Sequence, residues 1–271
     1  MGTKHHPIAD QLRQFLCPGC SDQEIWDLLA EAQITRPSSL ALDPNLINYI
    51  KLSVIHQQLG YVLFGSKPCA YGLVISDTNA SKIKNRTRPT NSELNSMLDY
   101  LSLNNPNPDL ITRKLKDSSA GESQLTAVLT FWKSKVHAVV LENIDLFKDK
   151  LGRDFTADNM VNRLTTSESV DQLFSPFTFN ECEHLFGIIL GYGRDSSLAW
   201  QEYQKENKET DLNLQSVSIP DGHIVSPVLL KFIETKEAKS VIERFNSERI
   251  GIEEIIKSGN LIIKAIEVLC P

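Results

Sequence analysis

Long apolar runs, an excess of positive charge and a workable set of cysteines are all missing from this chain. No uncharged apolar stretch approaches the roughly 20 residues of a membrane-spanning helix, so there is no span to place in a bilayer. The opening residues, MGTKHHPIADQLRQF, carry basic side chains with no apolar segment behind them, which leaves out a cleaved secretory signal. The reading is a cytoplasmic protein. The alternatives are export by a route without an apolar signal, or a chain whose targeting segment has been removed. Its 5 cysteines are few and odd in number, which argues against a disulfide framework and for a reducing compartment. Lys and Arg number 28 against 34 Asp and Glu, a formal net charge of -6. A general nucleic-acid binder needs a concentrated basic surface to neutralise phosphates, and this chain has no such excess. Nothing in the composition requires a cofactor.

What is present is ordinary globular usage, 41% hydrophobic and 23% charged residues. A chain of 271 residues is long enough to bury about 75% of its unfolded surface without a metal or a staple. The patterning predicts a mainly α fold with a small β-sheet, helices around one core, in a single domain over 1–271. The alternative is two domains, 1–103 and 122–271, joined by a linker at 104–121, where NNPNP and SSAG cluster. Ser21 and Glu24 read as a capping box, Asp43-Pro44 as the start of a helix reaching about Gln58, and Thr90 with Glu93 as a second box. YVLFGSKPCAYGLVIS (61–76) reads as strand, turn and strand. A long helix is expected from Glu122 to about Gly152, because Leu125, Val128, Leu129, Trp132 and Val136 recur at three- and four-residue spacing. Two short helices capped near Thr156 and Thr166 follow. Strands LNLQSVSIP and IVSPVLLKFI are expected to pair across Asp221-Gly222, all strands sharing one sheet, and helices at 236–247 and 252–268 close the chain.

The stretch HLFGIILGYGRDSSLAWQEY (184–203) is one residue short of the phosphate-cradling pattern G-x-G-x-x-G, with Ser196 at the third glycine. In a dinucleotide loop a strand precedes the glycines and a helix N-terminus points its N–H groups at the pyrophosphate. Here Thr178 and Glu181 read as a cap just before the apolar run, so a helix precedes them, and a helix C-terminus presents carbonyls. The reading is a turn between two helices, with Gly191 or Gly193 left-handed and Asp195 or Ser196 capping the next helix. Arg194 is left to pair with Asp195, Glu183 or a nearby carbonyl, or to hold an anion beside that N-terminus.

LFGSKP (63–68) and HLFGIILGYGRDSS (184–197) together resemble paired motifs, LFGDKP and LxGxxLGYGxxN, of a group of uncharacterised proteins from chlamydia-like bacteria. Ser66 stands where that pattern has Asp, and Ser196 or Ser197 near its Asn. The resemblance covers two short motifs and brings no activity. It implies that both glycine turns belong to one site or one structural junction, and Lys67, Gly191, Gly193, Arg194 and Ser196 are the anion-binding set such a site would use.

Cys17-Pro18-Gly19-Cys20 has the spacing of half a zinc site, with His5 and His6 near in sequence, but no second pair completes it. It reads as a Pro-Gly turn between two apolar thiols, free of metal and reduced. Glu181-Cys182-Glu183-His184 contains E-x-x-H without the partner motif a di-iron bundle needs. His56, His137 and His223 accompany no nucleophile motif. Lys82, Lys84, Arg86 and Arg88 recur at every second residue in an otherwise acidic chain. They read either as a solvated loop, where replacing Lys84 and Arg86 leaves stability unchanged, or as a partner-docking stripe. The sum is a non-enzymatic protein-interaction domain with structural glycine turns and an unknown protein partner. The competing reading is an enzyme or small-molecule binder using the Gly65–Lys67 and Gly191–Arg194 turns as one anion site.

Overall fold

The computed structural model describes residues 42–83, 86–116, 126–205, 215–216, 223–226, 231–232 and 235–271. The helix expected after the Ser21 and Glu24 capping box, Cys17 and Cys20 with His5 and His6, Lys84, residues 117–125 and the Asp221-Gly222 turn lie outside the described residues. Within them the fold is mainly α with a small antiparallel sheet. None of the described helices is long and apolar enough to cross a membrane.

Helix α1 (Pro44–His56) starts where Asp43 accepts the Asn45 N–H at 2.9 Å and Pro44 opens the first turn. Gln58, at φ 65°, then turns the chain into α2 (Leu59–Leu63). Tyr61, Val62 and Leu63 were expected as a strand. All three are buried in a single helical turn that is apolar on every side, so tertiary burial overrides their β preference. β1 (Cys69–Val74), α3 (Asp77–Ala80), α4 (Asn91–Leu103), β2 (Leu110–Lys116) and β3 (Thr126–Trp132) follow.

β3 is the largest departure from the patterning, which predicts helix from Glu122. Ala127 to Phe131 are buried in succession, and helical spacing cannot be told from a continuous apolar run that is covered on both faces. The helix begins only at Lys133, as α5 (Lys133–Glu142) and α6 (Ile144–Leu151), parted at Asn143.

The sheet order is β1-β3-β2, both pairs antiparallel, with Cys69 opposite Phe131 and Leu115 opposite Ala127. Alternation along the strands then sorts the interior onto two faces. Ala70, Val74, Leu110 and Val128 join a cluster with α1, α2, α4, α10 (Lys236–Lys257) and α11 (Leu261–Leu269). Cys69, Leu115, Ala127, Leu129 and Phe131 join the other, with α5, α6, α7 (Ala157–Thr166) and α8 (Glu183–Ile189). Tyr192 packs against both.

Thr156 and Asn159 form a reciprocal cap for α7. In place of a helix capped at Thr166 there is a 3-10 turn, Asp171–Phe174. α9 (Arg194–Lys205) follows α8. β4 (Gln215–Ser216) and β5 (Lys231–Phe232) pair antiparallel as a separate ribbon rather than joining the sheet. α10 runs through Gly251, where two helices were expected; the break comes at Gly259, φ 78°. A Cβ on Gly251 would touch nothing, so its cost is only helix propensity, about 1 kcal/mol, while Phe245, Arg249 and Ile252 continue one buried face.

Thr90 and Glu93 form the expected capping box of α4. Arg86 completes it: its guanidinium forks onto the Glu93 carboxylate at 3.0 and 2.6 Å, while that carboxylate also accepts the Thr90 N–H at 2.8 Å. Arg86 is therefore part of the fold and not of a solvated stripe, which corrects the expectation that its loss is neutral. Glu93 is buried, so Arg86→Ser strands a charge. The expected cost is about 2 kcal/mol, measured by urea denaturation, against under about 0.5 kcal/mol for Lys82→Ser.

Candidate functional site

α8 ends in the hydrogen-bond pattern that its glycines permit. The Gly191 N–H donates to the Ile188 carbonyl at 2.9 Å and the Tyr192 N–H reaches back to Gly187 at 3.0 Å, a Schellman turn. Gly191 (φ 79°) and Gly193 (φ 86°) both take the left-handed backbone expected of one of them. Gly191 has a second reason to lack a side chain: a Cβ there would lie 2.8 Å from Pro68 Cδ.

That contact brings the two glycine motifs together. Lys67 is fully buried, and its Nζ donates to the Leu190 carbonyl, one of the α8 carbonyls left without a helical N–H. The same nitrogen sits 4.4 Å from the centre of the Tyr192 ring and 5.8 Å from that of Phe245. Burial above all pushes Lys67 down to about 7, opposed by Cys69 and Glu248 and reinforced by the positive charge of Arg244. Burial pushes the Cys69 thiol up to about 12 and the Tyr192 phenol up to about 12.

The N-terminus of α9 holds an anion, and the protein supplies it. Glu237 accepts the Arg194 N–H at 2.9 Å through one oxygen and the Asp195 N–H at 2.6 Å through the other. Neither Asp195 nor Ser196 caps this helix, because α9 already begins at Arg194 and the capping oxygens come from α10. The Ser196 hydroxyl is buried with no hydrogen-bond partner among the described residues. Arg194 forks onto Asp145 at 2.8 and 2.6 Å, a residue not among its expected partners, and these hydrogen bonds hold the Asp145 carboxyl below its ordinary value. Lys67 and Arg194 thus face different groups, one inside beneath Tyr192 and one at the surface.

The other turn is filled in the same manner. Glu248 accepts the Ser66 N–H at 3.0 Å, and a Cβ on Gly65 would lie 2.3 Å from its carboxylate. Lys135 Nζ donates to the Gly65 carbonyl at 2.8 Å. Glu237, Phe245 and Glu248 come from α10, which runs past both turns. Sequence reasoning missed them, and Asp145 with them. Their only local signal is the spacing of Phe245 and Glu248, three apart on one helical face.

Glu181 accepts both the Thr178 N–H and its hydroxyl, at 2.9 and 2.8 Å, but α8 begins after Cys182 with no side-chain cap, so the pair does not cap that helix as expected. His137 lies 3.5 Å from Asp158, His223 3.0 Å from Glu253, and His184 is buried. Among the described residues no group of three or more His, Cys, Asp or Glu could hold a metal ion. Of the basic residues, Lys82 and Arg88 are exposed and Arg86 is paired with Glu93; they present no continuous stripe among the described residues. No family model, no curated protein and no solved structure matches the chain.

Gly191→Ala combines a left-handed alanine with a clash against Pro68. It is expected to cost about 2–4 kcal/mol in urea denaturation, more than Gly193→Ala at about 1–2 kcal/mol, where the neighbour is the flexible end of Glu237. Lys67 gives a second test. Between about 7 in the folded chain and 10.5 in the unfolded one, the unfolded state keeps a proton that the folded state has lost. Stability therefore rises with pH through that window and is lowest below it. Relative to Lys67→Met, the wild type is expected to gain up to about 1.4 kcal/mol per pH unit from pH 7 to 9, and parallel profiles would contradict the assignment.

Proposed function

We propose that this chain is a protein-interaction domain that performs no chemistry of its own, and that its glycine turns serve architecture. The observation that carries this reading is the carboxylate of Glu237 on the Arg194 and Asp195 N–H groups, the place a phosphate would otherwise take. Lys67, the cation an anion site would need, is buried against the Leu190 carbonyl under Tyr192. Arg194 is engaged by Asp145. Both turns are thus satisfied from within the chain, and a free phosphate would have to displace a carboxylate already held by two N–H groups. Support for a partner comes from the surface: Arg88 is exposed in a chain of net charge -6 and makes no ion pair among the described residues.

The test is a thermal-shift titration with inorganic phosphate, nucleotides and phosphorylated metabolites at constant ionic strength. Wild type is expected to show no saturable shift. Glu237→Gln is expected to lower the unfolding temperature by about 2–4 °C, the loss of about 1 kcal/mol of charge-assisted capping in a chain of this size. A saturable upward shift of wild type by a nucleotide or phosphate, strengthened in Glu237→Gln, would replace this reading with the anion-binding one.

A further inference from the structure

We propose that the cleft between the end of α1 and the outer edge of β1 receives an extended acidic peptide segment of a partner protein, with Arg88 holding a carboxylate. This rests on reading the chain as an interaction domain.

The cleft is open and measures about 430 Å³. His56 and Gln57 form one wall, Tyr71 to Leu73 the floor, and Thr87 with Arg88 the facing wall. Among the described residues no Asp or Glu lines it, and the one permanent charge there is the Arg88 guanidinium. That guanidinium is exposed and enters no salt bridge or hydrogen bond among the described residues. A surface that offers donors and a lone guanidinium, with no acid to answer it, fits a carboxylate.

The backbone supplies the second half of the argument. β1 is an edge strand. The Trp132 N–H donates to the Pro68 carbonyl, so every second residue from Pro68, namely Ala70, Gly72 and Val74, is turned toward β3. The backbone groups of Tyr71, Leu73 and Ile75 then point outward. Ile75 is already answered there, donating to Pro89 and accepting from Asn91. Leu73 is answered by a side chain: Gln57 Nε2 donates to its carbonyl at 2.6 Å. A primary amide on an outward strand carbonyl stands where the N–H of an added strand would stand. Gly72 keeps that place open, because a Cβ on it would lie 2.3 Å from Gln57 Oε1. A peptide strand that replaces the Gln57 amide on Leu73 runs beside Thr87 and Arg88, where an acidic side chain meets the guanidinium.

The experiment measures fluorescence anisotropy of labelled decapeptides alternating Val with Glu, Gln or Lys, titrated with the full chain. The Glu peptide is expected to bind saturably, more tightly than the Gln peptide, and the Lys peptide least. Arg88→Glu, on an exposed residue that leaves the fold intact, is expected to weaken the Glu peptide about tenfold or more. Gln57→Ala, which removes the competing amide, is expected to tighten it. Equal binding of the Glu peptide by wild type and Arg88→Glu overturns the cleft assignment while leaving the interaction reading in place. So does the absence of binding by any peptide, or full competition by free glutamate at the peptide's own affinity, which would make the cleft a small-molecule site. Failure of the interaction reading itself is seen elsewhere, as a saturable nucleotide or phosphate shift of wild type.

Discussion

A buried ammonium under an aromatic ring, donating to the last carbonyl of a helix, is the constraint on which the rest of this architecture turns. Lys67 is fully buried, and a charge in that position is tolerable only where donors and acceptors match. The Leu190 carbonyl is available because α8 stops there, and α8 stops because Gly191 takes the left-handed turn. Gly191 in turn must lack a Cβ for Pro68 to reach it. Tyr192 covers the ammonium and packs against both apolar clusters, so the contact ties the two faces of the sheet together at one end. α10 then closes the junction by carrying Glu237 to one glycine turn and Glu248 to the other.

The electrostatics of this junction are arranged for self-sufficiency. Each helix end or turn that exposes backbone N–H groups receives a carboxylate of the chain itself, and the Leu190 carbonyl receives a lysine. Such pairing answers these backbone N–H groups and the Leu190 carbonyl and fills the places a small anion would use, while the Ser196 hydroxyl and one Glu248 oxygen stay buried without a partner among the described residues. Arg88, beside the edge of β1, is by contrast an exposed cation with no ion pair among the described residues. The same pattern recurs on a small scale at α4, where Arg86 and the Thr90 N–H share the Glu93 carboxylate.

Local chemistry made the helix starts legible. Asp43-Pro44, Thr90 with Glu93, and Thr156 each cap within three residues, so nothing distant is needed to recognise them. The left-handed glycines after α8 were legible for the same reason. The strand β3 was not: Ala127 to Phe131 are covered on both faces, and double coverage erases the alternation that marks a strand. Tyr61 to Leu63 misled in the opposite direction, since their β preference counts for little inside a fully buried turn. Of the site, the two glycine motifs were expected to share one junction and Pro68 does lie against Gly191, but the partners there were not legible. Asp145, Glu237 and Glu248 are brought there by packing across 42 to 182 residues of chain, a distance no local pattern encodes.

The central claim is that Lys67 and Tyr192 act as one unit in holding the α8 terminus against the Lys67-Pro68 segment. A double-mutant cycle of Lys67→Met and Tyr192→Leu, with each stability measured by urea denaturation at pH 6, where the buried amine keeps its proton, reads their coupling directly. The account predicts a coupling of about 1 kcal/mol or more, from the loss of the cation–ring contact and the shared burial. Single-variant effects that add to within about 0.3 kcal/mol would contradict it, leaving the buried lysine and the glycine turn as independent neighbours.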